Sequence, residues 1–394
     1  MESDTRRLLW NTTALLFSYM AVAMPLPVIS VFVTNTIGFS NSLGGFAVGI
    51  TYLAAILSRS FAGRLADDKG GKTCMIRGLI LYAAASAVCS LAGLTADNAP
   101  LAYALLITGR FILGLGESLT LVGMLSWNIA LMGTHRSSVV FSLVGAILFG
   151  AFAAGGPLGM LALDRFGFSG LMLCCCPLPL IGAAMLLRVT PARPETQSTR
   201  KKEPFFRIMA LIWRQGVMVG AQAVGFAALG AFIALYFAEK NWPYVELALP
   251  FYGGGFVLVR ILGSRWPARF GGVKTAMISL AVEAFGQLLL WQAPTVEIAL
   301  VGTFLTGIGC SLVFPSMGME VIRQVQPGSR GIALGGFEIF QDVALGATAP
   351  VTGSFADHFG YPVVFLFGLA AAGIGLLVGV TTVRQNTERN GKAP

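Results

Sequence analysis

Charged residues are scarce in this chain, and that scarcity excludes most classes of soluble protein. Only 11% of its 394 residues are Asp, Glu, Lys or Arg, whereas soluble domains carry about 25%. The chain is 55% hydrophobic with a mean hydropathy of +0.75, and apolar runs of about 20 residues, enough to cross a bilayer, recur along its length. These features indicate a protein that spans the membrane many times. The net charge of +9 therefore fits loops on one side of the membrane better than a nucleic-acid surface.

Residues for catalysis and metal binding are also few. The six cysteines show neither a disulfide framework nor metal-site spacing, and the two histidines, His135 and His358, lie far apart near predicted helix ends. The chain has no Walker loop and no catalytic constellation. We therefore expect no enzyme activity, no cofactor, no metal and no direct use of ATP. The apolar run after Met1–Trp10 continues past Pro25, so it should stay as a membrane anchor.

An internal repeat runs through the sequence. A shift of 201 positions places four residues on identical ones: Arg59, Arg64, Gly70 and Gly71 on Arg260, Arg265, Gly271 and Gly272. A shift of 193 places nine further residues on identical ones. They are Phe111, Gly114, Gly116, Ser118, Leu119, Pro157, Asp164, Phe166 and Gly167, which fall in that order on Phe304, Gly307, Gly309, Ser311, Leu312, Pro350, Asp357, Phe359 and Gly360. The difference of 8 predicts a longer connection near Leu94–Leu101. A repeat of this length predicts a duplicated fold.

Hydropathy predicts an all-α membrane protein with twelve transmembrane helices. The spans lie roughly at Leu8–Val33, Leu43–Ala62, Cys74–Leu94, Leu101–Met132, Ser138–Leu163, Phe168–Val189, Ile208–Ala238, Val245–Leu262, Thr275–Trp291, Ile298–Ile322, Gly331–Phe355 and Pro362–Val383. We predict two pseudo-symmetric six-helix halves, residues 1–190 and 208–394, joined by a flexible cytoplasmic linker at 191–207.

Lys and Arg are unequally divided between the predicted loops. With a cytoplasmic N-terminus, the loops on the opposite side carry only Arg165 and Lys240, and the other loop cations fall on the cytoplasmic side. Because positive residues favour that side of a membrane, we expect both termini to be cytoplasmic.

A polar stretch, Gly63–Lys72, follows the second span and is predicted to be a loop, since five of its ten residues are charged. The residues that match the loop signature of the major facilitator superfamily are Gly63, Leu65, Ala66, Asp67, Gly70 and Lys72. Asp68 and Gly71 stand where basic residues are common in that family. The charge network that the resemblance implies around this loop is therefore carried over only in part.

Other stretches extend the resemblance over the whole chain. Arg110–Glu117 resembles the fourth-helix signature of proton-coupled members, and Gly155–Gly159 resembles the fifth-helix antiporter signature without its usual paired glycines after the proline. Four stretches are similar to a bacterial inner-membrane group labelled arabinose-efflux-like permeases: Pro25–Val28, Ser58–Asp67, Ser311–Pro315 and Phe340–Gly346.

The resemblance implies a monomeric secondary transporter of the bacterial inner membrane, with two halves that rock about a central cavity. Its expected partners are a small-molecule substrate, protons and the lipid bilayer. The expected task is proton-coupled export of a sugar, drug or metabolite by antiport. Two alternatives stay open: proton-coupled uptake of a small organic solute by symport, and a membrane sensor or lipid-handling protein that transports nothing.

Acidic residues inside the spans are candidates for proton coupling, because such residues are costly in a membrane and usually functional. The candidates are Asp342, Glu338, Glu117 and Glu283. Asp342 and Glu338 are four residues apart on one helical face, so both cannot ionise cheaply in a low dielectric. We favour Asp342 as the proton carrier and Glu338 as its partner, against an alternative of hydrogen bonding between helices. Glu283 fits a coupling role and a structural role about equally.

Candidate substrate-binding residues follow one face of the fourth span, where Arg110, Glu117 and Asn128 recur at helical spacing. Arg110 and Glu117 are two turns apart, about 10 Å along the axis, so they can line one cavity without pairing. The alternative is a buried structural polar pair. Aromatic candidates for the cavity are Trp127, Tyr19, Phe226, Phe232 and Tyr236, although aromatic residues in a bundle are more often packing residues.

Candidate gating residues are Gly63, Asp67, Lys72 and Arg330. The resemblance places Asp67 against the N-terminal end of the eleventh helix, predicted to begin near Arg330, where free N–H groups attract a carboxylate. Such a contact would form when the cytoplasmic side is shut. The alternative is that Asp67 only caps its own loop.

Overall fold

The computed structural model describes residues 2–133, 137–191, 204–326 and 330–390, and these ranges are almost entirely helical and contain no strand. The predicted all-α membrane fold is confirmed. The chain forms two compact units, Met1–Thr196 with Ala349–Asp357, and Gln197–Thr348 with His358–Pro394.

The helices of the N-terminal part are α1 (Glu2–Ala23), α2 (Leu26–Val31), α3 (Asn41–Lys69), α4 (Gly71–Leu94), α5 (Ala99–Met132), α6 (Ser137–Cys175) and α7 (Pro177–Leu187). A π-helical turn at Phe32–Thr36 follows α2. Pro25 ends α1 because proline has no N–H for the helical ladder.

The helices of the C-terminal part are α8 (Phe205–Glu239), α9 (Ala248–Leu262), α10 (Trp266–Phe270), α11 (Gly272–Trp291), α12 (Val296–Gln324), α13 (Arg330–Phe359) and α14 (Pro362–Asn390). A 3-10 turn at Val245–Leu247 precedes α9. The first residues of α13 belong to the second unit and its last turns, Ala349–Asp357, belong to the first.

Ten helical stretches of the described residues are long and apolar enough to cross a membrane. One of them, Leu143–Leu187, contains both the fifth and the sixth predicted span, which are separated by the non-helical Gly167 inside α6. The helix α13 is not among the ten, since polar residues in its middle, such as Glu338 and Asp342, lower its hydropathy. Each of the twelve predicted spans nevertheless coincides with helix.

The prediction of a loop at Gly63–Lys72 is wrong for most of its length. The helix α3 continues to Lys69 and α4 begins at Gly71, so Gly70 alone separates them. Leu65 and Ala66 are buried in a cluster with residues of α4 and α5, which favours continued helix. Gly70 has φ +84°, which glycine adopts without steric cost and which reverses the chain within one residue.

The repeat in the sequence is also a repeat of backbone conformation. Gly271, the counterpart of Gly70, has φ +90° and separates α10 from α11 in the same way. A Cβ atom on Gly114 would collide with the carbonyl of Thr51, and one on Gly307 would collide with that of Tyr252. The close approach of α5 to α3 is therefore repeated by α12 and α9.

The two different shifts predicted a longer connection near Leu94–Leu101, and this prediction is wrong. Both connections, 95–98 and 292–295, have four residues. Under the shift of 201, α4 ends four residues later than its counterpart α11. Under the shift of 193, α5 begins four residues earlier than its counterpart α12. The additional residues therefore lengthen two helices by about one turn each.

Candidate functional site

In the first unit, a buried carboxyl group on α5 is held by a tyrosine on α1. The hydroxyl of Tyr19 donates to Oε1 of Glu117 at 2.9 Å. Glu117 is 6% exposed and Tyr19 is 5% exposed. The other oxygen, Oε2 of Glu117, is buried and has no hydrogen-bond partner among the described residues. One oxygen of this carboxyl group is therefore oriented by Tyr19, and the other is unpaired in the described part of the chain and could bind a proton or accept a hydrogen bond.

Arg110, seven residues earlier on α5, connects this helix to α3. Its Nε donates to the carbonyl of Ala47 at 3.1 Å and its Nη2 to that of Val48 at 3.5 Å. Arg110 makes no direct ion pair with Glu117 in the described part of the chain, as the two-turn spacing allows. Its charge still acts on Glu117 through space, as does that of Arg59 on α3.

A second buried polar pair joins α1 to α5. Nδ2 of Asn11 donates to Oδ1 of Asn128 at 2.9 Å, and both side chains are fully buried. Asn11 precedes Tyr19 on α1, whereas its partner Asn128 follows Glu117, the partner of Tyr19, on α5. The two helices are therefore antiparallel. Trp127, beside Asn128, is 1% exposed, and its Nε1 has no partner among the described residues.

In the second unit, one buried acid is Glu283 on α11. It is fully buried, and neither carboxyl oxygen has a hydrogen-bond partner by geometry among the described residues. One turn further on, Nε2 of Gln287 donates to the carbonyl of Gly225 at 3.4 Å and to Oγ1 of Thr306 at 3.3 Å. The thiol of Cys310 on α12 faces Glu283 and donates to the carbonyl of Gln222 at 3.7 Å.

The other predicted coupling residues, Glu338 and Asp342, lie four apart on α13 as expected. Asp342 is buried at 8% exposure and Glu338 is partly buried. Their coupling roles stay predictions, as do those of Glu117 and Glu283.

The predicted aromatic ligands of the second half lie within interhelical packing. Phe226 stacks on Tyr252 with ring centroids 5.1 Å apart. The hydroxyl of Tyr236 donates to the carbonyl of Leu290 at 2.9 Å, and its ring meets Phe365 edge-on at 5.1 Å. Phe232 is fully buried. These contacts are those of packing residues, and a substrate role for them stays a prediction.

The gating residues are placed only in part. Nζ of Lys72 donates to the carbonyls of Leu187 at 2.9 Å and Val189 at 2.8 Å, so it caps the end of α7. Gly63 is a partly buried residue within α3. The side chains of Asp67 and Arg330 lie outside the described residues, although Arg330 is where the described part of α13 begins, as predicted.

Four residues of these polar clusters were not predicted: Asn11, Arg59, Gln287 and Cys310. The repeat had singled out Arg59, because Arg260 is its counterpart, but gave it no role. Asn11, Gln287 and Cys310 carry no signal in the sequence, since single amides and thiols in apolar helices are common packing residues.

A helical membrane protein with a duplicated fold and a buried carboxyl group in each unit has the features of a membrane transporter. The family model of the Major Facilitator Superfamily matches residues 12–272 and 246–394. The chain belongs to this superfamily of transporters, which are not enzymes.

Relatives cover nearly the whole chain. It is 39% identical over 376 residues to an uncharacterized MFS-type transporter of Salmonella typhimurium, with 95% of this chain and 96% of the relative covered. It is 34% identical over 373 residues to an uncharacterized MFS-type transporter of Burkholderia mallei, with 95% and 91% covered.

Two solved structures share the fold. The nucleoside transporter NupG, solved as a point mutant, matches with a TM-score of 0.75 at 13% identity, covering 95% of this chain and 99% of that one. The human organic anion transporter MFSD10 matches with a TM-score of 0.71 at 14% identity, covering 95% and 99%.

Proposed function

We propose that this protein couples proton entry to the export of a small organic molecule, with Glu117 as a proton-binding group. The observation that carries the proposal is the hydrogen bond from Tyr19 to a buried carboxyl group whose second oxygen has no hydrogen-bond partner among the described residues. Intramembrane acids of this kind usually serve transport.

The surroundings of Glu117 support both of its charge states. Burial favours the protonated form, because a low dielectric penalises the charge. The hydroxyl of Tyr19 and the charges of Arg110 and Arg59 favour the carboxylate. We infer that this buried carboxyl group takes up a proton in one conformation and releases it in another. Arg110 itself donates hydrogen bonds to two carbonyls of α3, which orient its guanidinium group.

The direction of transport is proposed from the resemblance of Gly155–Gly159 to the fifth-helix antiporter signature. In the structure, Gly155 and Gly159 of this stretch pack closely against Ala23 and Met24 at the end of α1. The stretch therefore contacts the helix that carries Tyr19. Through this contact, a movement of α6 would displace Tyr19 relative to Glu117. The likeness to a nucleoside transporter and an organic anion transporter adds two substrate classes to those worth testing.

The test uses purified protein in proteoliposomes with an imposed pH gradient. Sugars, nucleosides, organic anions, drugs and metabolites are added in turn while internal pH and solute content are followed. We expect one class to move protons in the direction opposite to itself. Glu117→Gln should abolish this coupled movement, whereas the matched control Glu246→Gln, an exposed residue of the 3-10 turn before α9, should not.

Other outcomes would contradict the proposal in distinct ways. Proton and solute moving together would make the protein a symporter. Solute transport without proton movement would show that transport is not coupled to protons. Proton-coupled transport by Glu117→Gln would show that Glu117 is not the proton-binding group. Binding of a compound that is never transported would favour the sensor.

A further inference from the structure

The internal repeat relates the two buried acids in an unexpected way. The shift of 193 carries Glu117 to Cys310, and the shift of 201 carries Tyr82 to Glu283. In the first unit the carboxyl group is thus on α5 and a buried tyrosine is on α4. In the second unit the carboxyl group is on α11, the counterpart of α4, and a cysteine occupies the counterpart position on α12.

Both acids lie at the same kind of helix contact. A Cβ atom on Gly116, beside Glu117, would lie 3.0 Å from Cδ1 of Tyr82. A Cβ atom on Gly309, beside Cys310, would collide with the backbone and Cβ of Glu283. These glycines are counterparts under the 193 shift, so α4 with α5 and α11 with α12 approach in equivalent ways. Each unit therefore carries one carboxyl group at this contact, contributed by opposite helices.

Among the residues that the structure describes, the immediate surroundings of Glu283 contain dipoles and no charged group. Oε1 of Glu283 lies where a side chain on Gly225 of α8 would be, so it reaches the backbone of that helix. On α12 it faces Cys310, the titratable group that acts on it. The neighbouring Gln287 directs its Nε2 to Gly225 and Thr306.

Charged groups on the helices packed around Glu283 lie far along those helices. On α8, Arg214 and Glu239 are more than two turns from Gly225, and on α12, Glu297 and Glu320 are more than two turns from Cys310. The other described charged side chains on these elements are exposed and near the helix ends: Arg207 on α8, Lys274 on α11, Arg269 on α10, Arg323 on α12 and Arg384 on α14. An unpaired carboxylate would be very costly in such a place.

We propose that Glu283 is a second proton-binding site, the counterpart in the second unit of Glu117 at the equivalent helix contact. The inference rests on the proposed proton coupling. The reaction is simple acid dissociation: the carboxylic acid of Glu283 releases one proton to water and regains it from water when the packing of α11 against α12 changes.

The test measures carboxyl protonation directly and needs no substrate. Infrared difference spectra of the purified full-length protein in lipid nanodiscs are recorded after pH steps, in H₂O and D₂O. The C=O stretch of a protonated carboxylic acid is resolved, and its sensitivity to deuterium marks an exchangeable proton. We expect the wild-type spectrum to contain one buried component that Glu283→Gln removes and another that Glu117→Gln removes. The control Glu246→Gln should leave both in place.

Two further variants keep the test decisive if Glu283→Gln folds poorly. Glu283→Asp retains the carboxyl group and should shift the frequency of its component without removing it. The double variant Glu283→Tyr with Cys310→Glu copies the arrangement of the first unit and should restore a second component.

Outcomes separate the two proposals. Wild-type spectra from Glu283→Gln, or an unshifted component in Glu283→Asp, would overturn the second site while leaving Glu117 as the coupling group. An unchanged spectrum from Glu117→Gln alone would overturn the proposed role of Glu117 and leave Glu283 as a proton site.

Discussion

The carboxylate of Asp357, near the end of α13, lies at the first residue of α3. Its Oδ1 accepts hydrogen bonds from the backbone N–H of Asn41 at 2.9 Å and from Nδ2 of Asn41 at 2.8 Å, and its Oδ2 accepts from the N–H of Ser42 at 3.3 Å. The first N–H groups of a helix have no partner within it, and the positive end of its dipole attracts an anion. This contact joins Ala349–Asp357 to the first unit.

Asp357→Asn should therefore destabilise the first unit while preserving the shape of the side chain. We expect a loss on the order of 1 kcal/mol, because the charge and the acceptor for the N–H of Ser42 are lost while the amide oxygen can still accept from Asn41. The measurement is thermal unfolding of the purified protein in detergent. The matched control is Asp164→Asn, since Asp164 is the counterpart of Asp357 in the repeat and is exposed. Equal unfolding midpoints for the two variants would show that the contact contributes nothing.

Tyr19→Phe should impair coupled transport while leaving the fold intact. It removes the single hydrogen bond to Glu117, worth about 1 kcal/mol, and keeps the ring that packs against Phe152. A several-fold slower pH-driven transport, with unchanged thermal stability, is the expected result in proteoliposomes. Tyr244→Phe serves as the control, because Tyr244 is exposed. A normal rate in Tyr19→Phe would mean that the hydroxyl does not tune Glu117.

Arg110→Lys should fail nearly as badly as Arg110→Ala. The guanidinium reaches two carbonyls of α3 with two nitrogens, and an ammonium group cannot reproduce that fork. We expect a loss of stability of about 1–3 kcal/mol, together with loss of transport. Arg77→Lys, at an exposed position of α4, should be neutral. If Arg110→Lys transports normally with an unchanged unfolding midpoint, the arginine supplies charge only.

Lys72→Met should loosen the end of α7. The two carbonyls that Lys72 caps, those of Leu187 and Val189, would lose their donor, at a cost of about 1 kcal/mol. Hydrogen exchange of the peptide that covers residues 185–191 should become faster in this variant. Lys69→Met, an exposed residue at the end of α3, is the control, and equal exchange in both variants would count against the cap.

Asp342→Asn should abolish gradient-driven transport and leave substrate exchange intact if Asp342 carries a transported proton. Its burial on α13, one turn from Glu338, motivates this prediction. Measuring accumulation and exchange in the same proteoliposomes separates coupling from binding. His358→Gln, at an exposed position of the same helix, controls for general damage to α13. Normal accumulation by Asp342→Asn would leave Glu117 and Glu283 as the remaining candidates among the buried acids.

The sequence by itself determined the helical membrane fold, because hydropathy and the need to satisfy backbone hydrogen bonds within each span are local properties. The repeat also pairs Gly70 with Gly271, and both take a positive φ that other residues adopt only with strain. The charge density of Gly63–Lys69 predicted a loop, but these residues are helical. A helix satisfies its own backbone and can continue beyond the apolar part of a span.

Only the tertiary structure decided which polar side chains meet. The hydrogen bond between Tyr19 and Glu117 joins residues 98 positions apart, and Asp357 contacts Asn41 across 316 positions. Helical spacing predicted that Arg110 and Glu117 share a face of α5, but not that Arg110 would reach the carbonyls of α3. Such contacts depend on how helices pack, and packing is set by the sum of many weak contacts with residues distant in the chain.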